Sequence, residues 1–165
     1  MATSTYTPIA STILTTAASS YTFSSIPSTY TDLVLVMSGF SVSDAQNYQC
    51  RFNGDSATNY SNVTFFADGG GTYCYANATQ SYIEFSGNSD STNADINIIN
   101  FPNYSNTTTY KNLLGQWNDV TRNTGLSTGL WRSTAAINSI QIFIVTGTIN
   151  LGNGTTLSLY GIKGY

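Results

Sequence analysis

The stretch Trp131–Tyr165, WRSTAAINSIQIFIVTGTINLGNGTTLSLYGIKGY, decides the fold class. Ile140, Ile142 and Ile144 recur at every second residue, and Leu157 and Leu159 do the same beyond a turn at Asn150 to Gly154. A period of two puts one row of apolar side chains on one face of a strand. Gln141, Phe143 and Val145 fill the alternate positions of the first run, so it is apolar on nearly both sides and suits a central sheet position. Ser158 and Tyr160 alternate in the second. Asn153-Gly154 is a turn signal, since both residues tolerate positive φ. The stretch reads as two strands that form an antiparallel pair.

Working outward, the rest of the chain repeats this pattern. Met1 to Ala18, Thr- and Ser-rich and broken by Ile9, Ile13 and Leu14, reads as a first edge strand in preference to an arm, and Tyr21 and Phe23 alternate with Thr and Ser until Pro27. Asp32–Gly39, DLVLVMSG, is an apolar run of buried-strand length. Tyr48, Cys50 and Phe52 alternate before Asn53-Gly54-Asp55 turns the chain. Val63–Ala67 ends at Asp68-Gly69-Gly70-Gly71, a turn and not a phosphate loop, because no Lys closes it and no helical pattern follows. Tyr73 and Tyr75 flank Cys74; Ser81–Phe85, Asp95–Phe101 and Tyr110–Asn118 are further strands, and Asp90 to Asn93 is a turn. Thr121–Ser127 reads as polar loop leading through Leu130-Trp131 into the closing pair. Nine or ten short strands with no sustained helical period predict an all-β, antiparallel β-sandwich or barrel occupying residues 1–165 as one domain.

Composition narrows the function. Charged residues are 8% of the chain, against the usual ~25%, and the difference is made up largely by Ser, Thr, Asn, Gly and Tyr. With aromatics at 13% and a net charge of −3 this is not a disordered composition. Five scattered basic residues argue against a nucleic-acid partner, and no run of 18 apolar residues suggests a membrane span. The polar N-terminus lacks the basic n-region of a signal peptide. Asn-X-Ser/Thr triplets at Asn59, Asn62, Asn77, Asn103, Asn106 and Asn153 are what so Asn- and Thr-rich a chain produces by chance.

Candidate chemistry is sparse. Without histidine there is no Ser-His-Asp or Cys-His centre, and most zinc sites are excluded. Of the acidic residues Asp32, Asp44, Asp55, Asp68, Glu84, Asp90, Asp95 and Asp119, most sit in predicted turns. Only Glu84 is mid-strand, where it alternates outward. Asn53, Asp55 and Asp68 offer oxygen ligands for calcium, but at no known loop spacing. Cys50 and Cys74 read as two buried thiols, with a bridge between them left open. Tyr73 and Tyr75 share a face and are the best exposed aromatics; such rings either stack on sugars or fill a core or interface. No catalytic, cofactor-binding or metal site is assigned, and the protein is read as no enzyme. Because Ile137–Val145 would aggregate if exposed, it must be buried.

The phrases RFNGDSATNYS (51–61), INFPNYSNTTTYKNLLGQ (99–116), GLWRSTAAINSIQIF (129–143) and LSLYGIKGY (157–165) resemble small virion proteins of tailed bacteriophages, including cyanophages. The opening TPIASTILTTAASSYTFSSIPSTYTDLVLV (7–36) is similar to the same group, so the resemblance spans nearly the whole chain. It implies a jelly-roll module that serves as a capsid decoration, or cement, protein. The implied partners are the major capsid protein and copies of itself, as a homotrimer, with assembly in the bacterial cytoplasm and residence in the virion. The absence of a shaft or anchoring segment favours this over the alternative, a receptor- or glycan-binding domain of a tail or head fibre. An exposed aromatic cleft with nearby Asn and Asp would speak for sugar binding. A broad apolar patch would speak for cement. A surface so poor in charge predicts a closed homo-oligomer at micromolar concentration; sedimentation as a clean monomer would contradict this.

Overall fold

The computed structural model describes residues 5–41, 47–86, 91–119, 122–144 and 150–164. Among them are twelve strands: β1 (Tyr6–Ile13), β2 (Ser20–Phe23), β3 (Asp32–Gly39), β4 (Gln49–Phe52), β5 (Tyr60–Ala67), β6 (Thr72–Gln80), β7 (Ile83–Glu84), β8 (Asp95–Phe101), β9 (Lys111–Asn118), β10 (Thr124–Trp131), β11 (Ile140–Phe143) and β12 (Thr156–Ile162). They form an eight-stranded sheet, β1-β12-β3-β8-β9-β10-β5-β6, and a four-stranded sheet, β2-β11-β4-β7. All pairings are antiparallel.

The strand order shows how the sandwich is built. With β5, β6, β9 and β10 set aside, β1-β12-β3-β8 faces β2-β11-β4-β7. Each strand then has a chain neighbour in the opposite sheet, and the pairs nest inside one another, first with last. That is a jelly roll. The four remaining strands are two inserted hairpins, β5–β6 and β9–β10. They interleave at the edge of β8 and widen the larger sheet into a wing beyond the core.

Inward rows from both sheets meet in one core. Leu33, Leu35 and Met37 of β3, Ile99 and Phe101 of β8, and Leu157 and Leu159 of β12 face Cys50 and Phe52 of β4, Ile83 of β7, and Ile140 and Ile142 of β11. Full burial of a Leu, Ile or Phe side chain stabilises by about 1.5–3 kcal/mol. An aromatic knot closes the core: Trp131 stacks on Tyr60 at 6.2 Å and meets Phe52 edge-on at 5.5 Å, and Phe101 meets Phe52 at 5.7 Å.

The two rows that define the fold class do not pair with each other. β11 lies in the small sheet between β2 and β4, and β12 lies in the large sheet between β1 and β3. Both rows point into the shared core, so alternation alone could not tell a hairpin from two strands facing across a sandwich. The central position expected for Ile140–Ile144 holds, and Ile137, Ile140, Ile142, Phe143 and Ile144 are buried; Val145 lies outside the described residues. In the Asn153-Gly154 turn only Gly154 takes positive φ, 88°. At Asn53-Gly54 both residues do, 54° and 70°, and the amide of Asp55 closes the turn on the Phe52 carbonyl at 2.9 Å.

Of the stretch expected to be polar loop, Thr121–Ser127, Thr121 lies outside the described residues and residues 124–127 instead open β10, a full eight-residue strand. Its inward positions are Gly125, Ser127, Gly129 and Trp131, which leaves no apolar alternation to read. The glycines are dictated by what covers them. A Cβ on Gly129 would stand 2.4 Å from Ile83 Cγ2, and one on Gly125 would stand 2.5 Å from the Trp117 ring. β7 therefore presses directly on the backbone of the wing. Gly129→Ala is expected to destabilise by about 1–3 kcal/mol through overpacking. In an Ile83→Ala background most of that penalty should vanish; urea unfolding of the four-member cycle measures the coupling, and purely additive values would contradict the contact.

Candidate functional site

The wing has two faces, and the register assigns every residue to one of them. On the outer face one row crosses six strands: Val36, Ile98, Gln116, Leu126, Phe65 and Cys74. Ile96 and Leu114 flank that row. Ile96, Leu114, Leu126 and Phe65 are each about half exposed, and Val36 is 36% exposed. No outward position on β8, β9, β10, β5 or β6 carries a charge. Five inter-strand gaps make the row roughly 24 Å wide, and three rows make a face on the order of 400 Å² in which Gln116, Asn100, Asn118, Thr124 and Thr128 stand among the apolar residues. A face of that size is within what a monomer exposes, and the largest such patch on a protein is often a functional one.

The inner face of the wing overhangs the small sheet, which ends at β7. Tyr60, Asn62 and Thr64 of β5 stay buried, but past them the inward residues Phe66, Tyr73 and Tyr75 are partly open. Tyr73 and Tyr75 project here, 41% and 56% exposed, and stack on Phe66 at 5.0 and 5.7 Å. Trp117 joins them at 5.9 Å from Phe66 and donates its indole N–H to Ser127 Oγ at 3.0 Å. A cleft of about 260 Å³ opens between these rings and the edge of the small sheet; Phe66, Tyr75, Trp117, Asn47, Asn77, Glu84, Ser86 and Asn123 line it with Thr64. The two tyrosines expected to be exposed are brought together here with polar side chains from three other segments.

Titratable groups divide by burial. Glu84 sits half-buried at the sheet edge on β7; burial pushes its carboxyl up, and hydrogen bonds from Asn47 and Gln49 partly offset this. It alternates against the buried Ile83 as expected, but it lines the cleft instead of lying in open solvent. Asp95, at the start of β8, is sealed from solvent. Burial pushes its carboxyl up to about 7, with the neighbouring Asn97 amide and backbone N–H groups opposing the shift, and the charge of Asp119 adds to it. Neither oxygen of Asp95 makes a hydrogen bond of good geometry. A carboxyl closed off in this way meets no substrate.

The three oxygen ligands considered for calcium are committed elsewhere. Asn53 Oδ1 accepts from the amides of Asn138 and Ser139, at 2.9 and 3.2 Å. Asp55 accepts from the Ala57 amide, Asn59 Nδ2 and Trp131 Nε1 at 2.9, 3.0 and 2.7 Å; the three bonds outweigh desolvation and hold its carboxyl below the usual range. Asp68 accepts from the amides of Gly70 and Gly71 at 2.8 Å each, which lowers its pKa and tightens the glycine turn. The full length of β5 separates Asp55 from Asp68. Among the described residues no three acidic, Cys or His groups converge on a metal position. Asp44 and Asp90 lie outside them. Asp32 and Asp119 cap turns, through the amides of Asn103 and of Arg122 and Asn123 respectively.

The two cysteines differ. Cys50 is buried in the core, where desolvation pushes its thiol up. Cys74, expected to be buried, is exposed on β6 and unbridged, because it belongs to the outward row.

No protein-family model matches the chain, and no curated protein matches it. Among solved structures, the alginate lyase Aly36B in complex with an alginate tetrasaccharide aligns over 82% of this chain and 72% of its own, at 10% identity and a TM-score of 0.31. The GH43 protein BlXynB from Bacillus licheniformis aligns over 81% of this chain but 27% of its own, at 6% identity and a TM-score of 0.35. A scytalido-glutamic peptidase aligns over 91% of this chain and 66% of its own, at 13% identity and a TM-score of 0.32. Likeness at that level carries no argument about activity.

The state of Asp95 has a measurable consequence. Its folded pKa lies above the 3.8 of the free group, so the folded state holds a proton that the unfolded state has released. Stability contributed by the neutral carboxyl is therefore present below about pH 4 and is lost as pH rises towards 7, at up to about 1.4 kcal/mol per pH unit. Asp95→Asn should match the wild type near pH 4 and melt higher at pH 8. Parallel stability curves from pH 4 to 8 would contradict the assignment.

Proposed function

We propose that this protein is a structural adhesive of a phage particle: a jelly-roll decoration protein that coats the outside of the head. One observation carries the reading, the uncharged outer face of the eight-stranded sheet, on which Phe65, Leu126, Leu114 and Ile96 stand exposed. A patch on the order of 400 Å² is about half of what each partner contributes to a standard interface. It suits a coat protein whose contact is weak per copy and repeated over many copies. Contacts without charge are also insensitive to salt.

In this reading Phe65, Leu126, Leu114 and Ile96 seat on major capsid subunits or on sister copies in a homotrimer. The resemblance of the sequence to small virion proteins of tailed phages points the same way. No catalytic step is required: Asp32, Asp55, Asp68 and Asp119 are committed to turns, Asp95 is sealed from solvent, and Glu84 is the one described carboxylate that lines the cleft.

The test is a paired substitution. Phe65→Asp with Leu126→Asp puts two charges on exposed positions and leaves the core untouched. The wild-type protein should sediment with undecorated heads and sustain that binding in molar salt. The double variant should keep its β spectrum and lose binding at least tenfold. Equal binding of both proteins, or binding abolished by moderate salt, would overturn the proposal.

A further inference from the structure

The cleft on the inner side of the wing is a different surface, on the opposite side of the same strands. We infer that it binds a neutral saccharide, with one sugar ring in the cleft and the chain continuing past Tyr73.

The argument rests on shape and chemistry. The face of a pyranose presents C–H groups, which pack on the electron-rich face of an aromatic ring. Its edge presents hydroxyls, each a donor and an acceptor, which need amides and carboxylates in one plane with the ring. The cleft supplies both. Tyr75 and Phe66 form a stacked shelf, continued outward by Tyr73. Around the shelf stand Asn47, Asn77, Asn123 and Glu84. Its volume of about 260 Å³ is just below that of drug-sized pockets, which suits a single ring.

Charge selects the ligand class. No Lys or Arg lines the cleft, and Glu84 does. Phosphate, sulfate or uronate groups would meet an uncompensated carboxylate, so nucleotides and acidic polysaccharides are disfavoured. Neutral hexose or N-acetylhexosamine chains incur no such repulsion.

Trp117 lines the cleft and reports on it by fluorescence. The probes are tetrasaccharides of glucose, mannose, galactose and N-acetylglucosamine, each titrated to millimolar concentration, with a tetrauronate as the anionic control. At least one neutral probe should give a saturable change. Tyr75→Ala should weaken it at least tenfold, Tyr75→Phe should retain it, and Glu84→Gln should weaken it less than Tyr75→Ala. The Phe65→Asp, Leu126→Asp variant should bind as the wild type does, which separates this site from the adhesive face. No response to any neutral probe, a response to the uronate alone, or equal affinity in Tyr75→Ala would overturn the inference.

Discussion

The close approach of β7 to the wing is the contact on which the rest of the structure depends. Ile83 rests on Gly129, and the main chain at Phe85 stands 3.5 Å from where a Cβ on Gly115 would sit. Ile83 of the small sheet, with Phe85 just beyond β7 in ordinary contact, thus reaches the backbone of the large sheet where glycines leave room. This contact ties the inserted hairpins to the jelly-roll core. Beyond it the sheet runs on without cover, and that overhang creates both surfaces of interest. A larger residue at Gly129 would lift the wing away from the core, and it would disturb both faces together.

The two faces make opposite demands on the same four strands. Alternate residues of β5 face the aromatic cleft and the apolar patch: Phe66 and Thr64 on one side, Phe65 and Val63 on the other. A one-residue slip in register would exchange them, turning Phe65 inward and Phe66 outward. Register is held at the ends of the hairpin. Asp68 caps the glycine turn at one end, and Asp55 receives the Trp131 indole at the other. The acidic residues that looked like ligands for a metal are the residues that fix this register. The same economy explains the composition. A chain that spends its few carboxylates on turns and its Thr, Ser and Asn on strands has little charge left for its surface, and the outer face shows that most clearly.

Much of this was legible in the sequence, and the gaps have physical causes. Strand content followed from the apolar run at Asp32–Gly39 and from alternation at Ile140–Ile144, Leu157–Leu159 and Tyr48–Phe52, and the exposure of Tyr73 and Tyr75 followed from their spacing beside a glycine turn. The pairing of Ile140–Ile144 with Leu157–Leu159 did not follow, because two rows facing one core look the same whether the strands are adjacent or opposed. β10 escaped notice because its inward row is Gly125, Ser127 and Gly129; the information about that strand lies in Ile83 and Trp117, far away in sequence. Cys74 was misplaced for a related reason. Alternation gives two faces but not which of them is covered, and on β6, at the edge of the wing, both faces are exposed. Asn47, Asn77 and Glu84 come together only through the overhang, which no local pattern encodes.

A cryo-EM map of phage heads mixed with the protein, at a resolution that separates strands, tests the adhesive reading most directly. The account predicts density at regular positions on the shell, with the Phe65–Leu126 face of the eight-stranded sheet turned onto capsid subunits or sister copies and the Tyr73–Tyr75 shelf open to solvent. Bare shells, or a bound protein whose Phe65–Leu126 face points to solvent, would contradict it.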